Sequence, residues 1–113
     1  MKLAIIGSRN LKINNLEKYI PEGVTEIVSG GAKGIDACAK SFAKEKGISY
    51  KEFLPEYSRY GKAAPIIRNK KIVDYADEVL AFWDGKSRGT KSVISYYKDA
   101  DKNITIIMLA DEK

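Results

Sequence analysis

A doubly wound α/β fold, with five parallel strands in the order 3-2-1-4-5 and helices on both faces, is the architecture this sequence predicts. Short apolar runs alternate along the chain with stretches of helical periodicity. The runs at 3–6 and 79–83 are continuously apolar, as strands covered on both faces must be. Turns rich in glycine and serine follow the strands, where a Rossmann-like three-layer sandwich keeps its ligand loops. There is no internal repeat, low-complexity segment or linker. One domain over 1–113 is therefore expected, large enough to fold without disulfides or metals.

Leu3-Ala4-Ile5-Ile6 is the first strand, central in the sheet and ending at Gly7-Ser8-Arg9. Asn14 or Asn15 then caps a helix that buries Leu16, Tyr19 and Ile20 and stops at Pro21. Glu26-Ile27-Val28 follows as the second strand and closes at Ser29-Gly30-Gly31. Over 34–46, Ile35, Cys38, Ala39, Phe42 and Ala43 recur at helical spacing while Lys40, Lys44 and Glu45 take other faces, and Gly47 supplies the C-terminal cap. Ser49-Tyr50-Lys51-Glu52-Phe53 is more polar and alternating, which suits an edge strand. Residues 54–62 read as a loop. Pro65 fits the first turn of a helix running to about Tyr75, and Val79-Leu80-Ala81-Phe82-Trp83 is another central strand. After a loop at 84–88, a helix from Gly89-Thr90 buries Val93, Ile94 and Tyr97. Ile104-Thr105-Ile106-Ile107-Met108-Leu109 completes the sheet.

Composition narrows the chemistry. With no histidine, the commonest metal ligand and the commonest general base are missing, which argues against a zinc site and against any histidine-dependent triad. The single Cys38 allows no intrachain disulfide. No stretch is apolar enough to span a membrane, and the start of the chain has too short an apolar run for a signal peptide. A cytoplasmic protein with no membrane partner is expected. Twenty Lys/Arg against 15 Asp/Glu leave a net charge of +5, a mild preference for anionic partners.

The candidate site gathers at the carboxyl ends of the strands, where the strand order reverses. Ser29-Gly30-Gly31-Ala32-Lys33-Gly34-Ile35-Asp36 joins a strand to the best-defined helix. Its glycines let backbone approach a ligand, and the amides at the helix start point toward an anion. The same segment also makes sense as a tight turn with Asp36 at the positive end of the helix dipole. Gly7-Ser8-Arg9 and Ser87-Arg88-Gly89-Thr90 bring further hydroxyls and arginines to that edge. Arg68-Asn69 lies on a helix whose apolar partners leave both free to face either the cleft or solvent. Phe53, Tyr57 and Tyr60 could stack a base or pack a loop onto the core. The glycine spacing is not the dinucleotide fingerprint, and Gly85-Lys86-Ser87 lacks the earlier glycine of a Walker A loop, Leu80 standing there. Asn103-Ile104-Thr105 is a chance glycosylation match.

Taken together, these motifs resemble the SLOG superfamily, which joins the Rossmann domain of DprA/Smf to the LOG nucleotide phosphoribohydrolases. Ser29-Gly30-Gly31-Ala32-Lys33-Gly34-Ile35-Asp36-Ala37 is similar to the DprA signature. Tyr60-Gly61-Lys62-Ala63-Ala64, Arg68-Asn69 and Ala81-Phe82-Trp83-Asp84-Gly85 through Gly89-Thr90 look most like small single-domain members related to YpsA. The resemblance implies a pocket for a nucleotide-derived small molecule formed by Gly7, Ser8, Arg9, Ser29, Gly30, Gly31, Asp36, Arg68, Asn69, Gly89 and Thr90; Lys33 and Ser87 in the same loops are further candidate ligand-binding residues, and no cofactor is expected. Where LOG enzymes carry a catalytic glutamate this chain has Val93, which speaks for a sensor or binding module rather than an enzyme. A hydrolase of a nucleotide derivative would need Asp36, the candidate catalytic residue, or Asp84. DprA-like binding of single-stranded DNA and a homo-oligomer stay open.

Overall fold

The computed structural model describes residues 1–8, 11–13, 15–31, 34–86, 88–99 and 103–108, the side chains of 97 and 99 excepted. Strand β1 (Lys2–Gly7) is followed by a 3-10 turn (Leu16–Tyr19), β2 (Glu26–Ser29), helix α1 (Ile35–Lys46) and β3 (Ser49–Glu52). A short helix α2 (Tyr57–Tyr60) and a 3-10 turn (Gly61–Ala63) lead into α3 (Ala64–Tyr75), then β4 (Glu78–Trp83), α4 (Arg88–Asp99) and β5 (Asn103–Met108). The strands form one parallel sheet in the order β3-β2-β1-β4-β5, as the sequence predicts.

Strand side chains alternate between faces, so a strand buried on both sides feeds two cores. Ala4 and Ile6 of β1 pack with Val28, Val79 and Ala81 under Ile72 and Val73 of α3, Ala76 just after it, and Val93 and Ile94 of α4. Leu3 and Ile5 face the other way, with Ile27, Leu80 and Phe82 under Leu16 and under Ile35, Ala39 and Ala43 of α1. The reversal of strand order thus falls between β1 and β4.

Two expectations need correction. The helix expected before Pro21 is only the four-residue turn Leu16–Tyr19, and Asn15 makes no side-chain cap. Its bonds run from Lys18 N–H to Asn15 and from Ile20 N–H to Glu17, the tighter i to i+3 pattern, and Ile20 is already extended ahead of proline. Leu16 is buried, while Tyr19 and Ile20 are only partly so. The 54–62 loop contains α2 and a 3-10 turn, because the Arg59 and Tyr60 amides both donate to the Glu56 carbonyl and the Glu56 carboxylate pairs with Arg59 at 3.8 Å. On α1, Ile35, Ala39 and Ala43 are buried, whereas Cys38 and Phe42 are half-buried, with Phe42 packing against the core from the side of the short Leu16–Tyr19 turn. Tyr97 as a buried side chain and Leu109 as a strand residue lie outside the described residues. Among the described residues, no helix is long and apolar enough to cross a membrane.

Candidate functional site

The site begins with close backbone packing. A side chain at Gly7 would place its Cβ 2.5 Å from Ile35 Cγ1 and 2.7 Å from the Phe82 carbonyl. The missing side chain lets the start of α1 sit directly on the end of β1. The following Ser8, 1 % exposed, donates its amide to the Phe82 carbonyl, and its hydroxyl accepts the Asp84 amide at 3.4 Å. The ends of β1 and β4 are joined there through polar groups.

At the end of β2 the two faces of the sheet meet. Arg68 reaches over from α3 and donates Nη1 to the Gly30 carbonyl at 2.7 Å, while its Nε donates to Asn69 Oδ1 at 2.7 Å. From the opposite face, Asp36 in the first turn of α1 approaches the same glycine. A Cβ on Gly30 would lie 2.6 Å from Arg68 Nη1 and 3.2 Å from Asp36 Oδ2. A guanidinium and a carboxylate that is 6 % exposed therefore converge on one buried glycine. Gly31 turns with φ 71° and Gly34 with φ 72°, conformations that favour glycine, and deliver the chain to α1.

A polar network supports this turn from below. Fully buried Ser29 shares a 2.5 Å hydrogen bond with the Tyr50 hydroxyl, and Tyr50 donates to Glu52 Oε1 at 3.1 Å. Glu52 also lies against Gly31 and 4.0 Å from Lys40 Nζ. Burial, with the Glu52 and Asp36 carboxylates adding to it, pushes the Tyr50 phenol up from 10.0 to about 12, against the lowering effect of the Ser29 bond. Tyr50 is thus a neutral donor at physiological pH, able to hold carboxylates in place without a counter-charge.

Of the residues expected at the site, the structure brings Gly30, Asp36, Arg68 and Asn69 into one cluster, with Ser29 and Gly31 beside them. Gly7 and Ser8 close the neighbouring strand end, Gly7 through packing. Gly89 and Thr90 stand in the first turn of α4, with Thr90 only 5 % exposed. Arg9, Lys33 and Ser87 lie outside the described residues. Asp84 accepts the Lys86 amide at 2.8 Å and shapes the turn after β4. Tyr50 and Glu52 are site residues that sequence reasoning missed. Their signal was the alternation of β3, which puts both on the face that Ser29 also occupies.

Fold and site together define a doubly wound, parallel α/β protein with a glycine-lined polar cluster at the carboxyl ends of its central strands. No family model matches the sequence, and no curated protein and no solved structure matches it.

Proposed function

We propose that the protein binds a nucleotide or nucleotide-derived small ligand in the cytoplasm, as a sensor or binding module of the SLOG type. The observation that carries this reading is the convergence of Arg68 and Asp36 on Gly30 at the turn that opens α1. Such a turn offers backbone amides and a helix dipole to a phosphate, with a guanidinium fork beside it, while the carboxylate suits a ribose hydroxyl. Val93, at the position corresponding to the LOG glutamate, is 3 % exposed within the core under α4. That burial favours binding over LOG-type hydrolysis.

Native mass spectrometry and thermal-shift titration with adenine and guanine nucleotides and ADP-ribose test this reading. A retained nucleotide-sized mass, or stabilisation lost in Arg68→Ala and Asp36→Ala, supports it. Absence of any small-molecule response, together with salt-sensitive binding of short single-stranded DNA, replaces it with the DprA-like alternative. The buried Asp36 carboxylate beside Arg68 favours one second reading, cleavage of an N-glycosidic or phosphoester bond with Asp36 as acid/base. Product formation that disappears in Asp36→Asn distinguishes it.

A further inference from the structure

A groove of about 710 Å³ runs between the Leu16–Tyr19 turn and α1. It exists because the connection from β1 to β2 holds a four-residue 3-10 turn where a full helix would have covered α1. Residues 37, 38, 41 and 42 share one side of that helix and line the groove, as does Gly34, the residue immediately before it. The groove therefore opens at the same turn that presents the α1 amides, and its volume lies in the ordinary range for small-molecule sites.

We infer that this groove holds the base of the nucleotide-derived ligand, with Phe42 as its stacking wall and Asn15 and Ser41 as its polar edge. The inference rests on the binding reading above and says where the ligand extends from the phosphate position. Cys38 lies about 6 Å along the helix axis beyond Gly34, and Phe42 about 12 Å, at the usual helical rise. A ribose and base would cover that distance in order. Lys12, Lys18 and Lys46 share the rim with Glu17 and Glu45, and Lys46 pairs with Glu17 at 3.4 Å, so the charge bias toward an anionic ligand is slight and comes from Lys12 and Lys18. Of the three aromatics on the opposite side, Tyr57 stands exposed on α2 and the other two are engaged otherwise. Phe53 packs edge-to-face on Tyr75 beneath Lys51, and Tyr60 lies against Arg59 and Lys71.

Cys38 is the only cysteine of the chain and is half-buried on the groove wall, so its reaction with a thiol reagent reports occupancy. The experiment measures that rate, and binding by calorimetry, for AMP, GMP and ribose 5-phosphate on the wild type and on Ser41→Trp, which fills the groove from an exposed position. AMP or GMP is expected to bind about tenfold or more tightly than ribose 5-phosphate, to slow Cys38 modification, and to lose its advantage in Ser41→Trp while ribose 5-phosphate affinity stays the same. Phe42→Ala should reproduce the loss with the groove left open. Nucleotide binding with Cys38 reactivity unchanged, or with both variants unaffected, overturns the groove assignment and leaves the binding reading standing. Equal affinity for AMP, GMP and ribose 5-phosphate does the same. Binding of none of the three overturns the groove assignment, and overturns the binding reading as well when ADP-ribose also fails to bind.

Discussion

Gly7 and Gly30 both lie where a side chain would collide, but the colliding atoms differ. At Gly7 they belong to Ile35 close to its backbone and to the Phe82 carbonyl, groups that cannot move without shifting α1 or β4. Gly7→Ala should therefore cost about 1–3 kcal/mol in urea unfolding, the usual penalty of overpacking a core. At Gly30 the nearest atom is the far end of the Arg68 side chain, which can swing away. Gly30→Ala should cost about 1–3 kcal/mol, the loss of a charge-assisted bond to a buried carbonyl, and also weaken AMP binding, because the displaced guanidinium leaves the Gly30 carbonyl. Comparing denaturation with calorimetry on the two variants separates the packing glycine from the site glycine. The sequence placed both in turns at the same ligand-binding edge. Spacing shows that a glycine follows a strand, and only the neighbour across the gap shows what needs the space.

At the scale of elements, α1 was legible almost residue for residue, because its cues are local. Its apolar positions repeat at helical spacing, and Gly47 ends it with φ 68° in a Schellman arrangement, its amide bonding the Lys44 carbonyl and the Ile48 amide the Ala43 carbonyl. Gly47→Ala should lower stability by about 1 kcal/mol without altering ligand affinity, which thermal unfolding beside calorimetry checks. The pairing of β2 with β3 was legible as an edge strand but not as part of the site. Ser49 to Glu52 look like polar surface until the register sets Ser29 opposite Glu52 and Ile27 opposite Tyr50. The Tyr50 phenol is raised in the folded state, so its stabilising contribution is complete below its ordinary value of 10.0 and is lost as pH rises through about 12. Tyr50→Phe should therefore lose less stability over that alkaline window than the wild type does. Tyr75, raised chiefly by its bond to Glu26, and Tyr96, raised by partial desolvation, are present in both proteins. The difference between the two pH–melting curves belongs to Tyr50.

For the whole molecule, the sheet divides the core into two layers, and Phe82 shows how one layer supports the site. It is fully buried, meets Tyr19 edge-to-face with ring centroids 5.3 Å apart, and its carbonyl receives the Ser8 amide. Phe82→Ala should cost about 3–5 kcal/mol and abolish ligand-induced stabilisation as well, since it loosens the β4 end on which the β1 turn rests. Chemical denaturation with and without AMP measures both effects; a ligand that binds only the folded state raises the wild-type midpoint with the logarithm of its concentration above Kd. The sequence alone determined the layer architecture, the strand order and the edge of the sheet that carries the glycine turns. Apolar runs, helical periodicity and short connections act over a few residues, and few topologies satisfy them all. The tertiary structure alone decided that Arg68 and Asp36 meet at Gly30, that Tyr50 and Glu52 belong beneath that turn, and that a shortened Leu16–Tyr19 turn leaves a groove along α1. Those are contacts between elements distant in sequence, made by strand register and helix packing, and no local pattern encodes the distance across which two side chains finally face each other.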